Sequence, residues 1–143
     1  MADLEPIASS YAAEVARTVE RELLASLASI NRQAPTFRRT FYIKDHNGDL
    51  KAGLTCSTAY GWLHIEALWV AAAHRSQSLG RQLMGAAETF GRDNRCHGAW
   101  LDTSNPAAAA FYRKLGYAVF GELINNEDQF PPEHRRWFLK RIL

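Results

Sequence analysis

The chain has little cysteine and little excess charge of either sign. Its 143 residues include two cysteines, Cys56 and Cys96, which lie far apart. This argues against a disulfide framework and predicts two free thiols in a reducing compartment, hence a cytoplasmic location. The formal net charge is only +2, whereas a dedicated nucleic-acid binder is usually more basic. No nucleic-acid partner is therefore expected.

Long apolar runs and an amino-terminal targeting pattern are also missing. No apolar run approaches the ~20 residues that span a bilayer, and residues 1–10 show no basic stretch followed by an apolar core. The five histidines show no tight metal-ligand spacing. We therefore expect no membrane partner and no metal. The length predicts a single domain over residues 1–143.

The first half of the chain has a clear order of elements. Apolar residues recur about every fourth position over residues 6–30, which predicts one helix, or two helices broken near the middle. Three strands are predicted next, at residues 38–45, 50–59 and 62–70. Asn47-Gly48 and Tyr60-Gly61 are turn signals between them, so an antiparallel meander is expected.

The second half alternates between helix and strand. A helix is predicted up to about Asp93, followed by a short strand at residues 99–102. Asn105-Pro106 is a helix start and Gly116 a helix stop. Two closing strands follow, at residues 117–124 and 134–143. A mixed sheet with helices packed on it is therefore expected.

The segment from His74 to Met84 leads from a strand end into a helix. Free backbone N–H groups and the helix dipole favour a phosphate at such a place. Ser76 and Ser78 add hydroxyl donors, and Gly80 permits close approach of the backbone. A polar loop that merely caps an amphipathic helix remains the alternative.

Two further elements carry candidate chemistry. On the helix that Asn105 opens, Tyr112 lies seven residues on and shares a face with the amide. The alternative is that Tyr112 is a half-buried aromatic of the core. On the third strand, alternation places Leu63, Ile65 and Ala67 on one side, and on the other Trp62, His64 and Glu66. A carboxylate there needs a task or a partner, so an ion pair with an arginine is equally open.

Together these segments resemble the GNAT superfamily of N-acetyltransferases. Arg75 and Gly80 match the first and last places of its phosphate-loop pattern. Asn105 and the run Phe111–Tyr117 match its second motif, and residues 65–70 match the strand before the loop. Residues 101–103, 120–123 and 131–140 resemble short bacterial single-domain members. The three main motifs occur in the family's order and spacing.

The resemblance implies an α/β fold with α+β character. Its sheet would be mixed and mostly antiparallel, of six to seven strands, with helices on both faces and a splay between the third and fourth strands. It implies acetyl-CoA as cosubstrate, no metal, and an amine of a small molecule or peptide as acceptor. Glu66 would be the base and Tyr112 the acid. The implied cofactor-binding residues are Leu68, Trp69, Val70, Arg75, Ser76, Gln77, Ser78, Leu79, Gly80, Arg81 and Asn105.

The sequence departs from the family pattern at three places. Ser78 stands where the family has glycine, and Ser76 replaces a second common glycine. Glu133, after a slightly longer loop, stands where the short bacterial members usually have glycine. The serines motivate an alternative function, a non-catalytic acyl-CoA-binding or regulatory module with the same fold. A homodimer in contact through the final strand is a further alternative to a monomer.

Overall fold

The structure is a computed structural model that describes residues 5–143. Residues 1–4, the start of the stretch without a targeting pattern, lie outside the described residues. The chain divides into two compact units, Met1–Gln33 and Ala34–Leu143. Among the described residues, none of the helices combines the length and apolar character that crossing a membrane requires.

The first unit contains one helix, α1 (Ala13–Ile30). It is unbroken but begins seven residues later than the start predicted at Pro6, so that part of the prediction is wrong. Ser9 and Ser10 precede it, and serine competes for backbone hydrogen bonds in non-helical conformations. The predicted apolar stripe is present but unburied, since Val15 is 61% and Val19 62% exposed.

The second unit is built on a six-stranded sheet in the order β1-β2-β3-β4-β6-β5. Only β3 and β4 run parallel, so the expectation of a mixed, mostly antiparallel sheet is confirmed. The elements are β1 (Arg38–Lys44), β2 (Leu50–Ala59), β3 (Trp62–Val70), α2 (Leu79–Asp93), β4 (Gly98–Thr103), α3 (Pro106–Lys114), β5 (Ala118–Ile124) and β6 (Arg135–Ile142).

The hairpin turns are located where the sequence predicts them. Gly48 has a φ of 87°, and Tyr60 and Gly61 have φ of 53° and 79°. Two successive residues with positive φ form the two-residue turn that matches the twist of the flanking strands. These turns fix the register of β1, β2 and β3.

The core lies between α2, α3 and one face of the sheet. Leu63, Leu101 and Leu139, on three neighbouring strands, are at most 1% exposed, and Met84 of α2 is fully buried. Since side chains alternate along a strand, the residues directly before and after each of these leucines point to the opposite face of the sheet. That face carries the groups beside Glu66.

The pairing of β3 with β4 stops early, which opens the sheet. The parallel register joins Trp62 with Gly98, Leu63 with Ala99 and His64 with Trp100. Beyond His64 the remaining residues of β3 have no partner on β4 in this register. The predicted splay between these two strands is therefore present.

The final strand, β6, lies inside the sheet. It pairs with β4 on one side and with β5 on the other. Because both its edges are filled, it cannot extend the sheet into a second copy of the chain. A homodimer in contact through the final strand therefore stays a prediction, and such a contact would use the faces of β6 and not a free edge.

Candidate active site

A cleft of about 690 Å³ lies where β3 ends and α2 and α3 begin. All the residues proposed for cofactor binding line it except Gln77. Additional lining comes from His74, Ala107, Ala108 and Phe111. The end of a strand and the first turns of two helices thus converge on one concave site, which is the usual form of a ligand pocket.

The loop before α2 has two residues in the left-handed region. Ser76 has a φ of 72° and Ser78 a φ of 59°. Glycine adopts such φ values without a steric penalty, which explains why the family pattern has glycine at both positions. Ser78 is the N-cap residue of α2, yet its side chain makes no capping hydrogen bond. The first N–H groups of α2 therefore lack a serine cap and remain suited to an anion.

The strained serines lead to a stability prediction. Replacing Ser76 or Ser78 by glycine removes a left-handed non-glycine residue, which costs about 1–2 kcal/mol, against a smaller gain in chain entropy on unfolding. We expect each substitution to raise the free energy of unfolding by about 1 kcal/mol, measured by urea denaturation. Ser104, which is not among the positive-φ residues, is the control, and S104G should lower stability. A loss of stability in S76G and S78G would contradict this account.

His74 is a residue of the cleft that the sequence did not single out. It ends the short 3₁₀ turn Ala72–His74 and lines the cleft. Its Nδ1 atom is buried and has no hydrogen-bond partner among the described residues. A buried polar atom without a partner is costly unless a ligand or water supplies one. Only its position next to Arg75 in the sequence could have indicated it.

Arg75 is anchored to the end of β3. Its Nε donates a hydrogen bond of 3.3 Å to the carbonyl oxygen of Val70. The arginine therefore stays at the mouth of the cleft, between the strand and the start of α2. Because the guanidinium has five N–H donors, most of them remain for a ligand.

The start of α3 has the predicted geometry. Asn105 is the N-cap, and its Oδ1 accepts a hydrogen bond of 2.9 Å from the N–H of Ala107. Ala108 lines the cleft, whereas Ala109 is 1% exposed and packs in the core. The small residues of this helix thus serve both the site and the core.

Tyr112 is part of the core and does not line the cleft, where its neighbour Phe111 lies instead. It is 7% exposed, and its ring contacts those of Phe111 and Tyr117. Burial, with a contribution from Asp102, raises the pKa of the Tyr112 phenol above its usual value. The hydroxyl is therefore protonated at neutral pH and can donate a proton.

Glu66 lies on a β-bulge, which simple alternation does not predict. Thr55 pairs with Ala67 and Cys56 with Ile65, so Glu66 is the extra residue of β3. After the bulge Leu68 is the residue that packs against the core, while Ala67 is exposed. The prediction that Ala67 shares a face with Leu63 and Ile65 is therefore wrong. Bulges re-aim side chains in this way beside active sites.

The Glu66 carboxylate has two partners on the face opposite α2. Its Oε1 accepts a hydrogen bond of 2.8 Å from Ser57 and lies 3.8 Å from a guanidinium nitrogen of Arg38. The alternative of an ion pair with an arginine is thus present as a loose contact. Side-chain exposure of 31% leaves the carboxylate accessible to a substrate.

His64 and Trp100 form an aromatic floor next to Glu66. Their rings are stacked at 3.9 Å with an angle of 3° between the planes. Burial lowers the pKa of the His64 imidazole from 6.5, although Glu66 and Asp102 act in the opposite sense. The ring is therefore mostly neutral at pH 7. Glu66 is the one carboxylate side chain of β3.

Neither cysteine is placed for nucleophilic chemistry. Both are free and buried. Burial and the nearby Glu66 carboxylate raise the pKa of the Cys56 thiol to about 11, and a thiol is a poor nucleophile until it ionises. Among residues 5–143, no three His, Cys, Asp or Glu side chains are grouped to hold a metal ion.

Known proteins resemble this chain in sequence and in fold. The chain is 36% identical over 81 residues to the acetyltransferase Atu2258 of Agrobacterium fabrum, covering 57% of this chain and 59% of that protein. It is 32% identical over 92 residues to the blasticidin-S acetyltransferase of Streptomyces morookaense, covering 64% and 65%. The aligned part is thus less than two thirds of either relative.

Solved structures extend the likeness to nearly the whole chain. A crystal structure from Agrobacterium tumefaciens, assigned to the acetyltransferases, superposes with a TM-score of 0.86 and 26% identity and covers 98% of this chain and 100% of that one. A crystal structure from Bacillus anthracis, assigned to the streptothricin acetyltransferases and in complex with acetyl-CoA, has a TM-score of 0.66 and 17% identity, and the match covers 74% of this chain and 62% of that one. The profile of the acetyltransferase (GNAT) family matches residues 7–117, and the chain belongs to this family.

Proposed function

We propose that the protein is an N-acetyltransferase that transfers an acetyl group from acetyl-CoA to a primary amine by direct attack. The observation that carries this proposal is the cleft at the end of β3, whose lining contains Arg75, Ser76 and Ser78 of the loop and the start of α2. The family membership and a fold neighbour crystallised with acetyl-CoA support it.

The cleft has the chemistry that a diphosphate and its pantetheine arm require. Uncapped N–H groups at the start of α2 and the guanidinium of Arg75 suit the diphosphate. The orphaned Nδ1 of His74 offers a further polar contact. Along the cleft, Leu68 and Val70 precede the loop on β3, and the arm would pair with backbone groups of this segment.

In the proposed reaction acetyl-CoA supplies the thioester, and two side chains of the protein accept and donate the protons. An amine with a pKa of ~10 is mostly protonated at neutral pH. Glu66 accepts a proton from it, directly or through a water, so that the nitrogen can form the new N–C bond as the C–S bond breaks. Tyr112, a phenol that is protonated at neutral pH and whose pKa burial raises further, gives its proton to the departing sulfur. The second proton that the nitrogen loses as the amide forms restores the phenol.

The acceptor in this proposal is a small molecule or peptide that carries a primary amine. The blasticidin-S relative supports a small molecule. The two buried free thiols agree with a cytoplasmic location. A non-catalytic acyl-CoA-binding module is the second candidate, because the serines at positive φ occupy the family's glycine positions.

Calorimetric titration with acetyl-CoA and with CoA tests the cofactor site. A Cβ added at Gly80 would lie 3.3 Å from the Phe111 ring, inside the cleft, whereas one added at Gly85 of the same helix meets nothing within 4 Å. We expect micromolar binding by the wild type, a loss of at least about tenfold in G80V and in R75A, and unchanged binding in G85A.

The outcomes separate the two candidate functions. Binding followed by thiol release with an amine supports the transferase. Binding without release across a broad amine panel supports the binding module. No binding by the wild type, or equal losses in G80V and G85A, would remove the cleft as the cofactor site.

A further inference from the structure

A depression of about 500 Å³ has the proposed base in its lining. Its lining residues come from β1, β2 and the bulge of β3. They are Arg38, Arg39, Thr40, Thr55, Cys56 and Glu66. Because the carboxylate that faces the amine is part of this wall, the depression can hold the atoms of an acceptor next to its reacting nitrogen.

Arg38 reaches this depression through the register of the sheet. Arg38 pairs with Ser57, and Ser57 pairs with His64. These residues therefore form one row across three strands, on the same face as the Glu66 contact with Ser57. The row places a cation in the lining of the depression, beside the proposed base.

The guanidinium of Arg38 has only one loose contact with a charged group within residues 5–143. Its side chain is 78% exposed, and its one ion pair is the 3.8 Å contact with Glu66 Oε1, beyond hydrogen-bond length. Arginine has five N–H donors in a fork that matches a carboxylate. An incoming anionic group would find these donors unfilled.

The other carboxylate on this face, Asp102, is already occupied. Both Nε and Nη2 of Arg136 lie 2.6 Å from its Oδ2. A second cationic group on the acceptor would therefore have to displace Arg136. Arg39, which also lines the depression, has its guanidinium over the Phe90 ring. Within residues 5–143, the charged groups of this depression that are left for an acceptor are thus the Glu66 carboxylate and the Arg38 guanidinium, which together complement a zwitterion.

The spacing of these two groups limits the size of the zwitterion. One guanidinium nitrogen of Arg38 and Oε1 of Glu66 are 3.8 Å apart. An amine on Glu66 and an acid group on Arg38, each at hydrogen-bond distance, can then be separated by only one or two carbon atoms. Longer acceptors would need Arg38 to swing away from Glu66.

We propose that the acceptor is an α- or β-amino acid, free or as part of a larger molecule, whose carboxylate binds Arg38 while its amine faces Glu66. This inference rests on the proposed transferase function and adds the acceptor class. Arg38 has the role of a specificity residue, and it takes no part in the proton transfers.

The test compares amino acids with their carboxamides, which differ only at the acid group. The amine of a carboxamide loses its proton more easily, so intrinsic reactivity favours the carboxamide. With the wild type we expect kcat/KM for the best amino acid to exceed that of its carboxamide by about 10- to 100-fold. In R38M this ratio should fall to one or below, because only the intrinsic reactivity of the two amines is left. R92M, which removes an exposed arginine of α2, should keep the wild-type ratio.

The possible failures are distinguishable. Carboxamides that react as well as the acids would overturn the acceptor class and leave the transferase intact. If no amine is acetylated, the acceptor class is tested by measuring how tightly each amino acid and its carboxamide bind to the CoA-loaded protein. Tighter binding of the acid, lost in R38M, would keep the acceptor class while the proposed activity falls. Equal or absent binding would overturn both.

Discussion

Replacing Tyr112 by phenylalanine should lower kcat by about 100-fold or more while the affinity for acetyl-CoA stays within about twofold of the wild type. The ring contacts with Phe111 and Tyr117 remain, so only the hydroxyl is lost. General acid catalysis contributes about 10²–10⁴-fold where it operates. The measurement is steady-state thiol release together with calorimetric titration of acetyl-CoA.

Tyr117 provides the matched control. It is 3% exposed, its ring lies 6.0 Å from that of Tyr112, and its buried hydroxyl lies beside Glu88 and Arg141, outside the lining of the cleft. Y117F should therefore keep the wild-type kcat. An equal loss in both variants would indicate a packing effect, and no loss in Y112F would remove Tyr112 from the mechanism.

The pH dependence offers an independent check of the same role. An acid acts only while it is protonated, so activity that depends on Tyr112 is lost as the pH rises through its pKa. Burial raises that pKa above 10.0. We therefore expect kcat of the wild type to show no falling limb below about pH 10. A decline centred between pH 7 and pH 9, absent in Y112F, would contradict the raised pKa.

Local sequence signals were sufficient for most of the second unit. The turn residues Asn47-Gly48 and Tyr60-Gly61 define β2 and β3, whose bounds agree with the prediction. The cap at Asn105-Pro106 likewise locates α3. These features depend on a few adjacent residues whose backbone preferences are strong. The resemblance to the GNAT family rests on local motifs of the same kind, the loop and both helix starts, and it was this resemblance that implied the residues now found to line the cleft.

Features that depend on pairing between strands could not be read from the sequence. The bulge at Glu66 arises from the register of β3 against β2, and no residue of β3 is a sequence signal for a bulge. The contact of Arg38 with Glu66 needs three strands to align. The late start of α1 was missed because periodicity continues into residues 6–12 although the helix does not. Long-range register and weak helix starts are thus the limits here.

Replacing Arg141 by methionine should destabilise the protein by about 3 kcal/mol. Arg141 Nη1 lies 2.7 Å from Glu88 Oε2, and this carboxylate is buried between α2 and the sheet, with 7% of its side chain exposed. Removing one partner of such a pair leaves an uncompensated buried charge, which typically costs about 3–5 kcal/mol. Because the Arg141 side chain is 34% exposed, we expect a loss of stability at the lower end of this range. Urea denaturation at neutral pH measures it.

Two further variants show that the loss comes from the unpaired carboxylate. The double variant E88M/R141M removes both charges and should recover most of the stability, because an apolar pair of similar volume avoids the desolvation of both ions. R135M breaks the pair with Glu122, whose side chains are 48% and 29% exposed, and should cost at most about 1 kcal/mol. If E88M/R141M is as unstable as R141M, the loss is one of packing. In that case the ion pair between Arg141 and Glu88 does not stabilise the packing of β6 against α2.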